Sequence, residues 1–218
     1  MPTQKLKWLL LIALALIWGS SFILIKKGLV ALNPFQLGSL RIIFCALFLL
    51  LVGFRNLATI PLHQWKYIAL TALFGTFVPA YLFAIAQTQI SSSVSSILNS
   101  LTPLNTLIIG AVIFRLDFKR TQIIGVIIGF LGTTLLILNG AAHHPNQNYW
   151  YTILVLIASV CYATNVNLIK RYLSDLKPLA ITTGNFAVMV VPAFLILSFT
   201  DFFSAVTHEK VQHAMIFV

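Results

Sequence analysis

Seven apolar runs of about twenty residues fill most of the chain, at roughly 8–27, 35–54, 67–87, 94–114, 121–139, 150–169 and 179–199. A bilayer core is ~30 Å thick and takes ~20 mostly apolar helical residues to cross, so each run can span it. The separators are short and carry turn or charge signals: Asn33-Pro34, Arg55-Asn56, Gln87 to Ser93, Arg115 to Arg120, Asn139 to Gln147 and Lys177-Pro178. None of the runs alternates strictly between apolar and polar residues, which argues against a β-barrel. With 59% hydrophobic and 8% charged residues in 218 positions, the chain lacks the charge that a water-soluble surface of this size requires. An eighth run begins at Ala214-Met215-Ile216-Phe217-Val218. The expected class is an all-α integral membrane protein with about seven helices plus a stub.

The formal net charge of +10 is no nucleic-acid signal, because the basic residues are dispersed among short loops, where Lys and Arg set membrane orientation. The side holding the N-terminus collects Lys5, Lys7, Arg55, Lys66, Arg115, Lys119, Arg120, Lys170, Arg171 and Lys177. The other side has Lys26, Lys27 and Lys210, and Arg41 lies within a span. This bias predicts a multi-pass protein of the cytoplasmic membrane with its N-terminus in the cytoplasm. The opening MPTQKLKWLLLIALALIWGSS has the form of a signal peptide, but its apolar run continues through Ile25, so a retained first helix is expected.

An internal echo adds an arrangement to this count. Residues 18–34, WGSSFILIKKGLVALNP, recur 144 residues later at 162–178, YATNVNLIKRYLSDLKP, without a gap. Leu24, Ile25, Lys26, Leu29, Leu32 and Pro34 return as Leu168, Ile169, Lys170, Leu173, Leu176 and Pro178, and Trp18 returns as Tyr162. An odd number of spans, five, separates the two copies, which places Lys26-Lys27 outside and Lys170-Arg171 in the cytoplasm. The halves are then inverted, the arrangement from which secondary transporters build alternating access.

At these residues the chain resembles the EamA family of the drug/metabolite transporter superfamily. The matching pattern is Trp18-Gly19-Ser20-Ser21-Phe22 with Lys26-Lys27, then Pro34 and Arg41, Ala80-Tyr81-Leu82-Phe83-Ala84, Ser100-Leu101-Thr102-Pro103, and Gln122 with Gly125, Gly129 and Gly132. The chain departs from the family where Arg115-Leu116 replaces a Gly-Glu pair after span four. The resemblance implies an inverted five-plus-five transmembrane helix repeat, with residues 1–140 as the first EamA-type repeat and 150–218 as a partial second one. It also implies a fifth helix outside the central cavity.

Candidate cavity residues are the polar and aromatic groups at membrane depth: Trp18, Ser20, Ser21, Arg41, Tyr81, Asn99, Asn105, Tyr162 and Asn165. Trp18 lies about ten residues, or ~15 Å, into its span, deeper than an interfacial belt residue, and this depth favours a cavity wall. Tyr162 is its counterpart, and Tyr81 is a weaker candidate of the same kind. Arg41 lies ~9 Å deep, where it can snorkel to the interface or attract an anionic group; a structural or gating role is favoured, and its counterpart is Asn185. For Asn165 and Asn167, cavity lining and interhelical bonding both remain open, as they do for Asn99 and Asn105 beside Pro103. Gly19 reads as a packing residue, and Gly125-x-x-x-Gly129 as a close-packing face. Cys45 and Cys161 read as small buried hydrophobes.

The acids Asp117, Asp175, Asp201 and Glu209 all fall in loops or at span ends, so no span carries a carboxylate for proton coupling. No nucleotide loop, nucleophile constellation or metal-ligand cluster stands out, His143-His144 included. No enzyme activity, cofactor or metal is expected. The expected partners are a small-molecule substrate and the bilayer, with no nucleic acid, and a homodimer is left open. The sequence points to a permease moving a small polar or amphipathic metabolite, of amino-acid, drug or metabolite type, by alternating access. The alternative is a truncated, non-transporting membrane fragment, inactive or working only with a partner.

Overall fold

The computed structural model describes residues 4–115, 119–143 and 148–218, and every regular element among them is helical. Among the described residues, six segments are long and apolar enough to cross a bilayer: Gln4–Gly28, Pro34–Leu57, Leu62–Gln89, Ser92–Val112, Tyr149–Tyr172 and Pro178–Ser198. They coincide with runs one to four, six and seven, and they make the chain a multi-pass membrane protein. The fifth run forms a 24-residue helix, Arg120–His143. Leu116, Asp117 and His144 and the side chain of His143 lie outside what is described.

Local chemistry sets the helix boundaries. Helix α1 (Gln4–Gly28) gives way to α2 (Pro34–Leu57) through a capping box: the Gln36 backbone N–H donates to Asn33 Oδ1 at 2.8 Å, and the Asn33 N–H to Gln36 Oε1 at 3.0 Å. The third span comprises α3 (Trp65–Ala72), a π-helical turn at Leu73–Phe77 and α4 (Val78–Gln89). The fourth is broken at Ser100-Leu101 into α5 (Ser92–Asn99) and α6 (Thr102–Val112). Pro103 lacks the N–H that would continue α5, and the Thr102 hydroxyl donates to Asn99 Oδ1 at 3.2 Å across the break. Then follow α7 (Arg120–His143), α8 (Thr152–Tyr172), α9 (Pro178–Ser198), α10 (Phe202–Ala205) and α11 (Glu209–Met215). Ala214 and Met215, where an eighth run is expected to begin, form the last residues of α11. The two prolines of the echo, Pro34 and Pro178, both open helices, where a missing N–H costs nothing.

Helix α8 runs through the middle of the bundle, against α3, the π-turn, α4, α5 and α6; α9 lies along α2 and α3. Helix α1 sits at the rim on α4, α5 and α11, with Ile25 and Gly28 its buried residues. Close helix approach uses small residues, but not those the sequence suggested. Gly38 lies on the Tyr81 ring, Gly53 on Thr183, and Gly184 on Ile60 and Ile68. Gly19, Gly125 and Gly129 have open space where a Cβ would stand. A Gly-x-x-x-Gly face permits close approach without supplying a neighbour; α7 lies against α5 and α6. Cys161 is buried as expected, whereas Cys45 is exposed on the outer face of α2.

Candidate functional site

Arg41 is the charged residue that the fold carries into the bundle. It sits on α2, one turn or so from the buried Leu37, Ser39 and Leu40, and is itself half-buried. Its Nη2 donates to Ser21 Oγ of α1 at 2.9 Å. No carboxylate lies within ion-pairing distance of Arg41 among the described residues. A span is a costly place for a guanidinium, and such residues face the bundle interior or a polar path. Here the interior is aromatic. Phe22, next to Ser21, packs edge-on to Phe83 of α4 (centroids 5.5 Å apart, 70°), and Phe83 stacks on Tyr162 of α8 (5.9 Å, 27°). Tyr162 lies within electrostatic reach of Arg41. Ser21, Arg41 and Tyr162, three of the expected cavity residues, are therefore brought together, and Phe22 and Phe83 join them.

The remaining candidates lie elsewhere. Trp18 is 66% exposed on the outside of α1, and Ser20 is exposed and bonds to the Ile17 carbonyl of its own helix. The depth argument for Trp18 measured distance along the span and carried no information about which face of an all-apolar helix turns inward. Tyr81 is buried in helix packing, its hydroxyl 2.8 Å from Ser39 Oγ. Asn99 caps the break in the fourth span. Asn105 donates to Ser159 Oγ at 2.7 Å, and Asn167 to the Thr106 and Ala163 carbonyls at 3.0 and 2.9 Å, so both tie α6 to α8.

Asn165 forms a second polar point. Its amide faces Gly75 in the π-turn so closely that a Cβ on Gly75 would stand 2.5 Å from it, and its buried Oδ1 has no hydrogen-bond partner among the described residues. Irregular helical turns of this kind gather at functional positions. Nearby in sequence, Asn185 lies 2.9 Å from Thr71 Oγ1, and with its nitrogen turned that way it also reaches the Ile68 and Ile181 carbonyls at 3.1 and 3.2 Å. The Asn185 nitrogen is thus fully engaged by protein acceptors, unlike the guanidinium of Arg41, its counterpart in the first copy.

Two features had weak sequence signals. Gln64, just before α3, donates to both Asp175 carboxylate oxygens at 3.0 Å, and Tyr67 stacks on Tyr172 (4.2 Å, 4°), which clamps the start of the third span to the α8–α9 turn. At the far end of that span, the Lys26 ammonium donates to the Gln87 and Ile90 carbonyls, satisfying groups that α4 leaves open. The single acid in the α8–α9 turn was visible in the sequence, but its partner, more than a hundred residues away, was not.

Comparison with known proteins places this geometry. An uncharacterized transporter of Archaeoglobus fulgidus is 27% identical over 194 residues, 86% of this chain and 66% of its own length. The uncharacterized inner membrane transporter YedA of Escherichia coli K12 is 28% identical over 157 residues, 70% of this chain and 49% of its own. A probable amino-acid metabolite efflux pump of Salmonella typhimurium is 26% identical over 155 residues, 70% and 50%. The chain spans about half to two-thirds of the length of these curated relatives. No solved structure matches it significantly. The model of the EamA-like transporter family matches residues 6–138, more than half of the chain, and the protein belongs to that family.

Proposed function

We propose that this chain serves a permease that moves a small polar or amphipathic metabolite across the cytoplasmic membrane by alternating access. The observation that carries the proposal is the cluster of Ser21, Arg41 and Tyr162, where polar groups from both copies of the echo converge at membrane depth on an aromatic wall. Family membership and the relatives' names favour transport over the membrane-fragment alternative.

Inversion of the halves, taken as 1–140 and 150–218, is supported by where the two copies touch the third span. Lys26 of the first copy bonds to its C-terminal end, and Tyr172 and Asp175 of the second meet its N-terminal end. Copies at opposite ends of one spanning segment are what a pseudo-two-fold axis in the membrane plane produces. The loop charges support a cytoplasmic N-terminus. Flux of a mixed metabolite extract through vesicles containing the full-length protein tests the proposal; absence of any flux above empty vesicles refutes it.

A further inference from the structure

We infer that the Arg41 cluster recognises an organic anion with an apolar or aromatic body, so that the transported molecule is selected by negative charge. The inference rests on the permease reading above and specifies what that permease accepts. A guanidinium offers five N–H donors in a planar fork that matches a carboxylate. Arg41 commits one of them, to Ser21 Oγ at 2.9 Å, and no carboxylate among the described residues pairs with it. Because Ser21 accepts in that bond, its own O–H remains free to donate. Tyr162 forms no hydrogen bond among the described residues, which leaves a phenolic O–H within electrostatic reach of Arg41.

A guanidinium and two hydroxyl donors, with no protein acceptor for their remaining hydrogens among the described residues, define a site for an anion. A buried charge is stable only when it is paired. The adjoining surface favours a flat apolar body, since Phe22, Phe83 and Tyr162 form a continuous aromatic series with centroid spacings of 5.5 and 5.9 Å. The second copy of the echo cannot duplicate the site. Asn185, which stands where Arg41 does, is neutral, and Thr71 and the Ile68 and Ile181 carbonyls occupy it.

Three probes that share a benzyl body test the inference with the full-length protein in vesicles: N-acetylphenylalaninate (anionic), N-acetylphenylalaninamide (neutral) and phenylalaninamide (cationic). The expected result is about a tenfold or greater preference for the anion, the worth of a charge-assisted hydrogen bond. Arg41→Gln should abolish that preference. Where this variant does not fold, Tyr162→Phe, which keeps the ring and removes one donor, should reduce it. Equal handling of the three probes, an unaltered preference in Arg41→Gln, or no handling of any probe overturns the inference. The permease reading fails separately, by absence of flux from the mixed metabolite extract.

Discussion

Gly38→Ala sets two physical effects against each other, and the structure decides between them. Position 38 lies inside α2, where replacing glycine by alanine gains about 1 kcal/mol from backbone entropy alone. The new Cβ would stand 2.8 and 2.9 Å from two ring carbons of Tyr81 and 3.4 Å from a third. Carbon atoms settle near 3.5–4.0 Å, so the ring must retreat by roughly 0.7 Å. It has nowhere to go without loss. Its hydroxyl is held by the wholly buried Ser39 at 2.8 Å, and Phe77 packs edge-on at 5.0 Å. Overpacking of this kind costs about 1–3 kcal/mol, and breaking the Ser39–Tyr81 bond strands two buried hydroxyls at about 1 kcal/mol or more. The sum exceeds the propensity gain, and Gly38→Ala should destabilise the protein by about 1–3 kcal/mol. Gly125→Ala and Gly129→Ala, where a Cβ meets open space, should be neutral or slightly stabilising. Denaturant titration in micelles, followed by tryptophan fluorescence, measures all three. Truncating Tyr81 to Leu in the Gly38→Ala background should recover part of the loss. A Gly38→Ala protein as stable as the parent, or a Gly125→Ala protein that loses as much, refutes the packing argument.

Three further outcomes follow from other contacts. Asn167→Ala removes the bond that ties α8 to the Thr106 carbonyl of α6; the same titration should show a loss of about 0.6–2 kcal/mol. Asp175→Ala removes the two carboxylate acceptors of Gln64 Nε2 and leaves it the Tyr172 carbonyl at 3.4 Å. It should cost about 1.5–3 kcal/mol and speed hydrogen exchange in α3 more than in α6. Gly75→Ala drives a methyl into the Asn165 amide; it should lower both stability and flux, and Asn165→Ala in the same chain should restore the stability.

The spans were legible because lipid imposes a demand that composition cannot hide: a chain without water to bond its backbone must form apolar helices about twenty residues long. Orientation within the bundle was far less legible. Helix α1 is apolar on every side, so the inward placement of Ser21 and the outward placement of Trp18, three residues away, have no sequence signal. Arg41 could be singled out by charge alone, and its pairing with Ser21 depends on how α1 and α2 cross. The roles of Phe22 and Phe83 were hidden because a phenylalanine facing lipid and one facing a cavity are the same residue. The π-turn had a quieter signal: Pro79 has no N–H to give the Gly75 carbonyl, and Gly75 leaves room for the Asn165 amide of α8.

The two copies of the echo have kept the same helix-turn-helix frame and diverged in what their polar side chains do. In the first, Ser21 and Arg41 bond to each other and leave donors unspent; in the second, Asn165 keeps an unpaired oxygen against the π-turn, and Asn185 is spent on α3. Two neutral amides in place of Arg41 and Ser21 would leave two copies with no preference for charge. On the transport proposal above, selectivity would lie in the difference between the copies, and the frame they share would supply the exchange of shapes. Arg41→Asn together with Ser21→Asn, which makes the first copy match the second, should therefore erase charge preference without abolishing flux of neutral solutes, and loss of both together would refute that division.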